Sequence, residues 1–83
     1  MTFVLYLKPK ARKNLDKIPQ EHRRKIVTAL REIVEHPFAG KALIGNRKGE
    51  YSVGVWPYRI IYTVMKKELL IIVIDVDHRG NVY

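Results

Sequence analysis

Four residues in the last third of the chain have side chains that can work on a phosphodiester: Arg59, His78, Arg79 and Tyr83. A guanidinium fork matches two phosphate oxygens. An imidazole titrates near neutrality and serves as acid or base. A phenol, ordinarily near pKa ~10, joins proton transfer only where neighbouring cations lower that value. Cleaving RNA with its own 2′-hydroxyl needs these groups: a base for the hydroxyl proton, an acid for the leaving 5′-oxygen, and cations for the charge gathering on phosphate. That chemistry requires no metal and no other cofactor. Each residue also has a plainer reading. Arg59 sits in an apolar strand segment, where it can be a structural ion pair with Asp75 or Asp77. His78 beside Asp77 can be a hydrogen-bonded surface pair, and Tyr83 carries the terminal carboxylate, whose charge opposes phosphate. His22 and His36 are read as structural.

Three further residues could hold single-stranded RNA. Trp56 shares a strand face with Ser52 and Gly54 and is the candidate exposed aromatic for base stacking. Arg47 and Lys48, in the preceding loop, are the candidate backbone-binding cations, and Glu50 is either a further base or a solvated carboxylate. Tyr51, Tyr58 and Tyr62 default to core packing. Strand alternation places Tyr58 and Tyr62 on one face and Arg59 on the other, so these three cannot share one site.

The elements that must position these groups follow from periodicity. Residues 2–7 are apolar on both faces and predict a short buried strand rather than an edge. Ala11, Leu15 and Ile18 recur at helical spacing after Pro9, giving a short helix that Pro19 ends. Residues 20–36 form the clearest helix, with Ile26, Val27, Leu30, Ile33 and Val34 on one face and Pro37 as its stop. Residues 38–49 carry three glycines and no period, so they read as a loop, anchored by Leu43 or Ile44. Tyr51, Val53 and Val55 alternate as a strand, Pro57 turns the chain, and residues 58–65 make the next strand. A turn at Lys66, Lys67 and Glu68 leads to residues 69–76, apolar on both faces and therefore central in the sheet. This hairpin is expected to carry His78, Arg79 and Tyr83 back beside Arg59. Helices preceding a run of strands indicate an α+β fold, β-α-α-β-β-β, with a helical hairpin on one face of a largely antiparallel sheet. Residues 1–83 form one domain, with no internal repeat.

The net charge of +8 is concentrated early in the chain. Residues 8–31 hold nine basic residues against Asp16 and Glu21, a local balance of +7. Such a field attracts polyanions and fades with salt, or simply keeps a helical face solvated. There is no cysteine, which excludes disulfides and thiolate metal sites and suits a reducing cytoplasm. The apolar run at 69–74 is far below the roughly 20 residues that cross a bilayer, and no signal peptide is expected.

The order of elements, Leu43-Ile44-Gly45 ahead of the sheet, the Tyr58-Arg59-Ile60-Ile61-Tyr62 strand, and His78-Arg79 followed by Val82-Tyr83 resemble the RelE/ParE superfamily of type II toxin–antitoxin toxins. The resemblance spans the whole chain. It implies a small α+β toxin neutralised by a cognate antitoxin, and the basic segment suits an acidic, partly disordered one. RelE-like members cleave mRNA on the ribosome, and this chain is closer to them. ParE-like members share the fold but inhibit DNA gyrase by binding it. Many RelE-like sequences carry Arg or Lys where this chain has Ser52 and Gly54. That departure keeps open a catalytically weak or non-toxic binding module.

Overall fold

The computed structural model describes residues 2–78. Strand β1 spans Val4–Leu7, helix α1 Pro9–Lys17 and helix α2 Gln20–Glu35. Strands β2 (Lys41–Ala42), β3 (Glu50–Val55), β4 (Tyr58–Met65) and β5 (Leu70–His78) follow. Pro9 lies in the first turn of α1, where its missing N–H forfeits no intrahelical bond. Pro19 separates the helices and is the N-terminal flank of α2, whose C-terminal cap is His36 just before Pro37. No helix among the described residues is long and apolar enough to cross a membrane.

The sheet has the order β1-β5-β4-β3-β2. Among the described residues only the β1–β5 pairing is parallel, with Val4 across from Leu70 and Leu7 from Val73. The other three pairings are antiparallel. Both helices pack on one face. Ala11, Leu15 and Ile18 join Ile26, Leu30 and Ile33 of α2 against Ile60, Tyr62, Ile71, Val73 and Val76. The helix residues repeat at three to four positions and the strand residues mostly at two, so each element turns its apolar set toward this single core.

The expectation of an α+β chain with a helical hairpin on one face of a largely antiparallel sheet therefore holds, with three local corrections. First, β1 is an edge strand, not a buried one. Its apolar Val4 and Tyr6 stay exposed, because one layer of helices covers only one face and a second layer would be needed to cover the other. Second, residues 38–49 are not loop throughout. Lys41–Ala42 adds a fifth strand to β3, and Gly45–Arg47 forms a 3₁₀ turn. Ile44 is 88% exposed and anchors nothing, whereas Leu43 is half-buried. Third, Leu69 belongs to the β4–β5 turn at a positive φ of 52°, and β5 continues to His78. That turn is the longer kind expected where two lysines cannot supply a tight hairpin turn.

Candidate functional site

Strand β4 presents two faces with different surroundings. Ile60 and Tyr62 lie in the helix-packed core, with Tyr58 and Val64 packed against it. Arg59, Ile61 and Thr63 alternate onto the other, open face. Across the ladder Gly54 lies opposite Arg59 on one side and Asp77 on the other, while Ser52 and Asp75 flank Ile61. Cross-strand partners share a face, so Ser52 and Gly54 stand on the same surface as Arg59.

A cleft of about 180 Å³ opens on this region, lined by Leu43, Arg47, Arg59, Ile61, Asp75 and Asp77. The chain segment between β2 and β3 folds over the open face and brings Arg47 to the cleft from far along the sequence. Arg47 is held by Glu50, Nη1 to Oε1 at 2.7 Å. Two guanidiniums and two carboxylates line the cleft, so its described charges cancel. The surplus of cations lies on the helices instead, where Lys10, Arg12, Lys13, Lys17, Arg24, Lys25 and Arg31 are exposed.

Strand β5 changes phase as it passes this site. In an unbroken strand residues 71, 73, 75 and 77 would face the helices together, driving two carboxylates into the core. Instead Tyr62 pairs with Val73 while Ile61 pairs with Asp75, so β5 accommodates one extra residue there. Val76 thereby joins Ile71 and Val73 in the core, and Asp77 comes to lie across from Arg59. At the switch the Asp75 carboxylate is bound from α1: Asn14 Nδ2 donates to its Oδ1 at 2.8 Å, and Lys10 Nζ stands 3.4 Å from its Oδ2. Asp75 is thus engaged by the helix, and Asp77 is the carboxylate directly across from Arg59.

The same phase sends His78 to the helix side. Its ring meets Tyr58 edge-on at 5.3 Å between centroids, and Tyr58 in turn meets His22 at 5.5 Å. His78 and Arg59 are therefore on opposite faces and not in one site. Arg47 and Arg59 do come together. Lys48 is exposed next to Arg47 but does not line the cleft, and Trp56 is 74% exposed at the β3–β4 turn. Arg79 and Tyr83 lie outside the described residues. Asn14 and Lys10 were missed by sequence reasoning, because nothing local links a polar helix position to an aspartate 61 residues later.

Tyr62 fixes the helix end that leads into this segment. Its buried hydroxyl donates to the Pro37 carbonyl at 2.8 Å, and its ring stacks on Tyr51. Burial pushes the Tyr62 phenol above its ordinary 10.0, against the opposing pull of the Gly40 backbone amide. Gly40 passes so close that an added Cβ would overlap the Tyr62 hydroxyl.

Residues 5–83 match the family model of the ParE toxin of type II toxin–antitoxin systems, parDE. The chain belongs to this toxin family. It is similar to a chain of the Mycobacterium tuberculosis RelBE2 toxin–antitoxin complex, at 25% identity and TM-score 0.86 over 95% of this chain and 100% of that one. In fold it also matches the intact E. coli RelBE complex (22% identity, TM-score 0.80, 94% of this chain and 96% of that one). The archaeal RelE–RelB complex from Pyrococcus horikoshii gives 22% identity and TM-score 0.80 over 99% of this chain and 100% of that one. No match was found among functionally curated proteins. The chain is a type II toxin of RelE/ParE fold.

Proposed function

We propose that this toxin is a ribosome-dependent endoribonuclease that cleaves mRNA without a metal. The observation that carries the reading is the placement of Arg59 on the open face, in the cleft that also receives Arg47 and beside the Ser52 and Gly54 positions. In the proposed reaction the RNA 2′-oxygen attacks phosphorus and the 5′-oxygen leaves. Arg59 and Arg79 balance the charge growing on the non-bridging oxygens, Tyr83 accepts the 2′-hydroxyl proton, and water protonates the leaving 5′-oxygen. Trp56 and Lys48 contact flanking nucleotides, and the basic helices meet ribosomal RNA. His78 is left out of this grouping because its ring packs on Tyr58, on the face opposite Arg59. Its partner is a cognate antitoxin, in keeping with the toxin–antitoxin complexes that it resembles in fold.

Induction followed by primer extension on mRNA, with and without ribosomes, tests the reading. Arg59→Ala is expected to lower cleavage by about 10² or more and to relieve growth arrest with the fold retained. Undiminished cleavage by that variant sinks the assignment. Charge cancellation in the cleft, with the surplus cations on the helical hairpin, favours a second reading, in which the hairpin grips DNA gyrase and no residue is catalytic. Inhibited supercoiling by purified protein without any cut in ribosome-bound mRNA selects it.

A further inference from the structure

The geometry points to Asn14 of α1 as a positioning residue that, through Asp75, sets which β5 side chains face the open site. Residues Ile71 and Val73 are core-facing at a spacing of two, and the next core residue, Val76, follows at three. The extra residue lies between Val73 and Val76, where the ladder shifts register. The apolar pattern calls for an extra residue between Val73 and Val76, since otherwise Asp75 and Asp77 would face the core; backbone pairing alone does not fix whether residue 74 or 75 takes that place. Asp75 carries a polar link between the sheet and α1, beside the apolar packing of Ala11 and Leu15. Its carboxylate accepts from Asn14 at 2.8 Å and is 17% exposed, while Lys10 closes on the other oxygen at 3.4 Å from an exposed position. Asn14 is one residue before Leu15, a core residue of α1, so its backbone cannot move without disturbing the packed helix.

The consequences downstream are specific. With Asp75 held, Asp77 stands across from Arg59 on the open face and His78 packs on Tyr58 on the helix face. With the switch lost, residues 75 and 77 would share the core face, and the charge beside Arg59 would change. Asn14 does not itself line the cleft, whereas Asp75 does. Its effect on the site passes through the phase of β5.

The first readout is structural and does not depend on what the toxin does to RNA. In 15N-labelled protein Asn14→Ala, or the milder Asn14→Ser should the alanine variant not fold, is expected to speed amide exchange of residues 75–77 by about tenfold or more. The Tyr58–His78 ring contact, seen as a cross-relaxation signal, weakens with it. Amides of Tyr62 and Val64 in β4 stay at parent rates. The exchanged pair Asn14→Asp with Asp75→Asn restores a donor and an acceptor across the same gap and returns both signals to the parent pattern. Unchanged exchange at 75–77, acceleration spread evenly through β4, or an exchanged pair that fails to restore the pattern each overturns the inference. The second readout rests on the RNA-cleaving reading: Asn14→Ala lowers kcat by about tenfold or more at unchanged KM, as expected for a misplaced catalytic environment. If the local exchange effect appears but the parent toxin cuts no RNA, the positioning role stands and the RNA reading fails.

Discussion

On the RNA-cleaving reading proposed above, adding a cation at Ser52 should raise cleavage. Ser52 lies across from Ile61, one row along the open face from the Gly54–Arg59 row. Two residues along a strand span about 7 Å and neighbouring strands lie about 4.8 Å apart, so the Cα atoms of residues 52 and 59 are separated by roughly 8.5 Å. Repulsion on an ammonium introduced at Ser52 from the Arg59 guanidinium at that distance is about 0.5 kcal/mol in water and about 2 kcal/mol at an effective dielectric of 20. Exposed Lys41, directly across from Ser52 at about 5 Å, adds about 0.8 kcal/mol in water. Against it, one well-aimed electrostatic donor contributes about 3 kcal/mol to a charged transition state. Ser52→Lys is therefore expected to gain up to about 1.7 kcal/mol, or up to roughly 20-fold in cleavage rate. The assay is cleavage of ribosome-bound mRNA by purified toxin at matched fold, with Ser52→Gln as the neutral control. The gain shrinks as salt rises, since the Debye length near 0.1 M is about 10 Å. If Ser52→Lys cuts no faster than Ser52→Gln, the cleft is not short of positive charge and the electrostatic reasoning fails.

Tyr62→Phe should cost about 1 to 2 kcal/mol by leaving the buried Pro37 carbonyl without its donor, and lower Tm by roughly 5 to 10 °C in a chain of this length. Gly40→Ala should cost about 1 to 3 kcal/mol from overpacking against the Tyr62 hydroxyl. In the Tyr62→Phe background, where that oxygen is gone, the alanine costs less but still meets the ring Cζ of residue 62 and Val53 Cγ2 at 3.2 Å; additive denaturation midpoints would contradict the geometry. Because the folded-state pKa of Tyr62 is raised, its contribution to stability is full below the ordinary 10.0 and is lost as pH rises through the folded value. Urea midpoints of the parent should fall more steeply above that pH than those of Tyr62→Phe, and parallel curves would refute this. Mixing the toxin with its antitoxin should raise the melting temperature, and an unchanged curve would remove the antitoxin from its partners.

Much of the fold was legible because most elements have one strong period. Ala11, Leu15 and Ile18, and then Ile26, Leu30 and Ile33, repeat at helical spacing, and the prolines at 9, 19 and 37 bracket the two helices. The short strand at Lys41–Ala42 was hidden because two exposed residues carry no period; only their ladder to Tyr51 and Ser52 makes them a strand. In β1, apolarity on both faces suggested burial, but burial depends on how many layers the rest of the chain can supply. The candidate site was half legible. Alternation placed Arg59 away from Tyr58 and Tyr62, and Trp56 was expected to be exposed, as it is.

What the sequence by itself determined is the inventory: a basic helical hairpin, a largely antiparallel apolar sheet, and an arginine, Arg59, at a polar strand position, because side-chain type and period are local properties. What only the tertiary structure decided is the grouping. Arg47 joins Arg59 because a segment folds across the open face, and His78 parts from Arg59 because β5 takes one extra residue where Asp75 meets Asn14. A single added residue inverts every following side chain, and the contact that accompanies it comes from a helix near the other end of the chain.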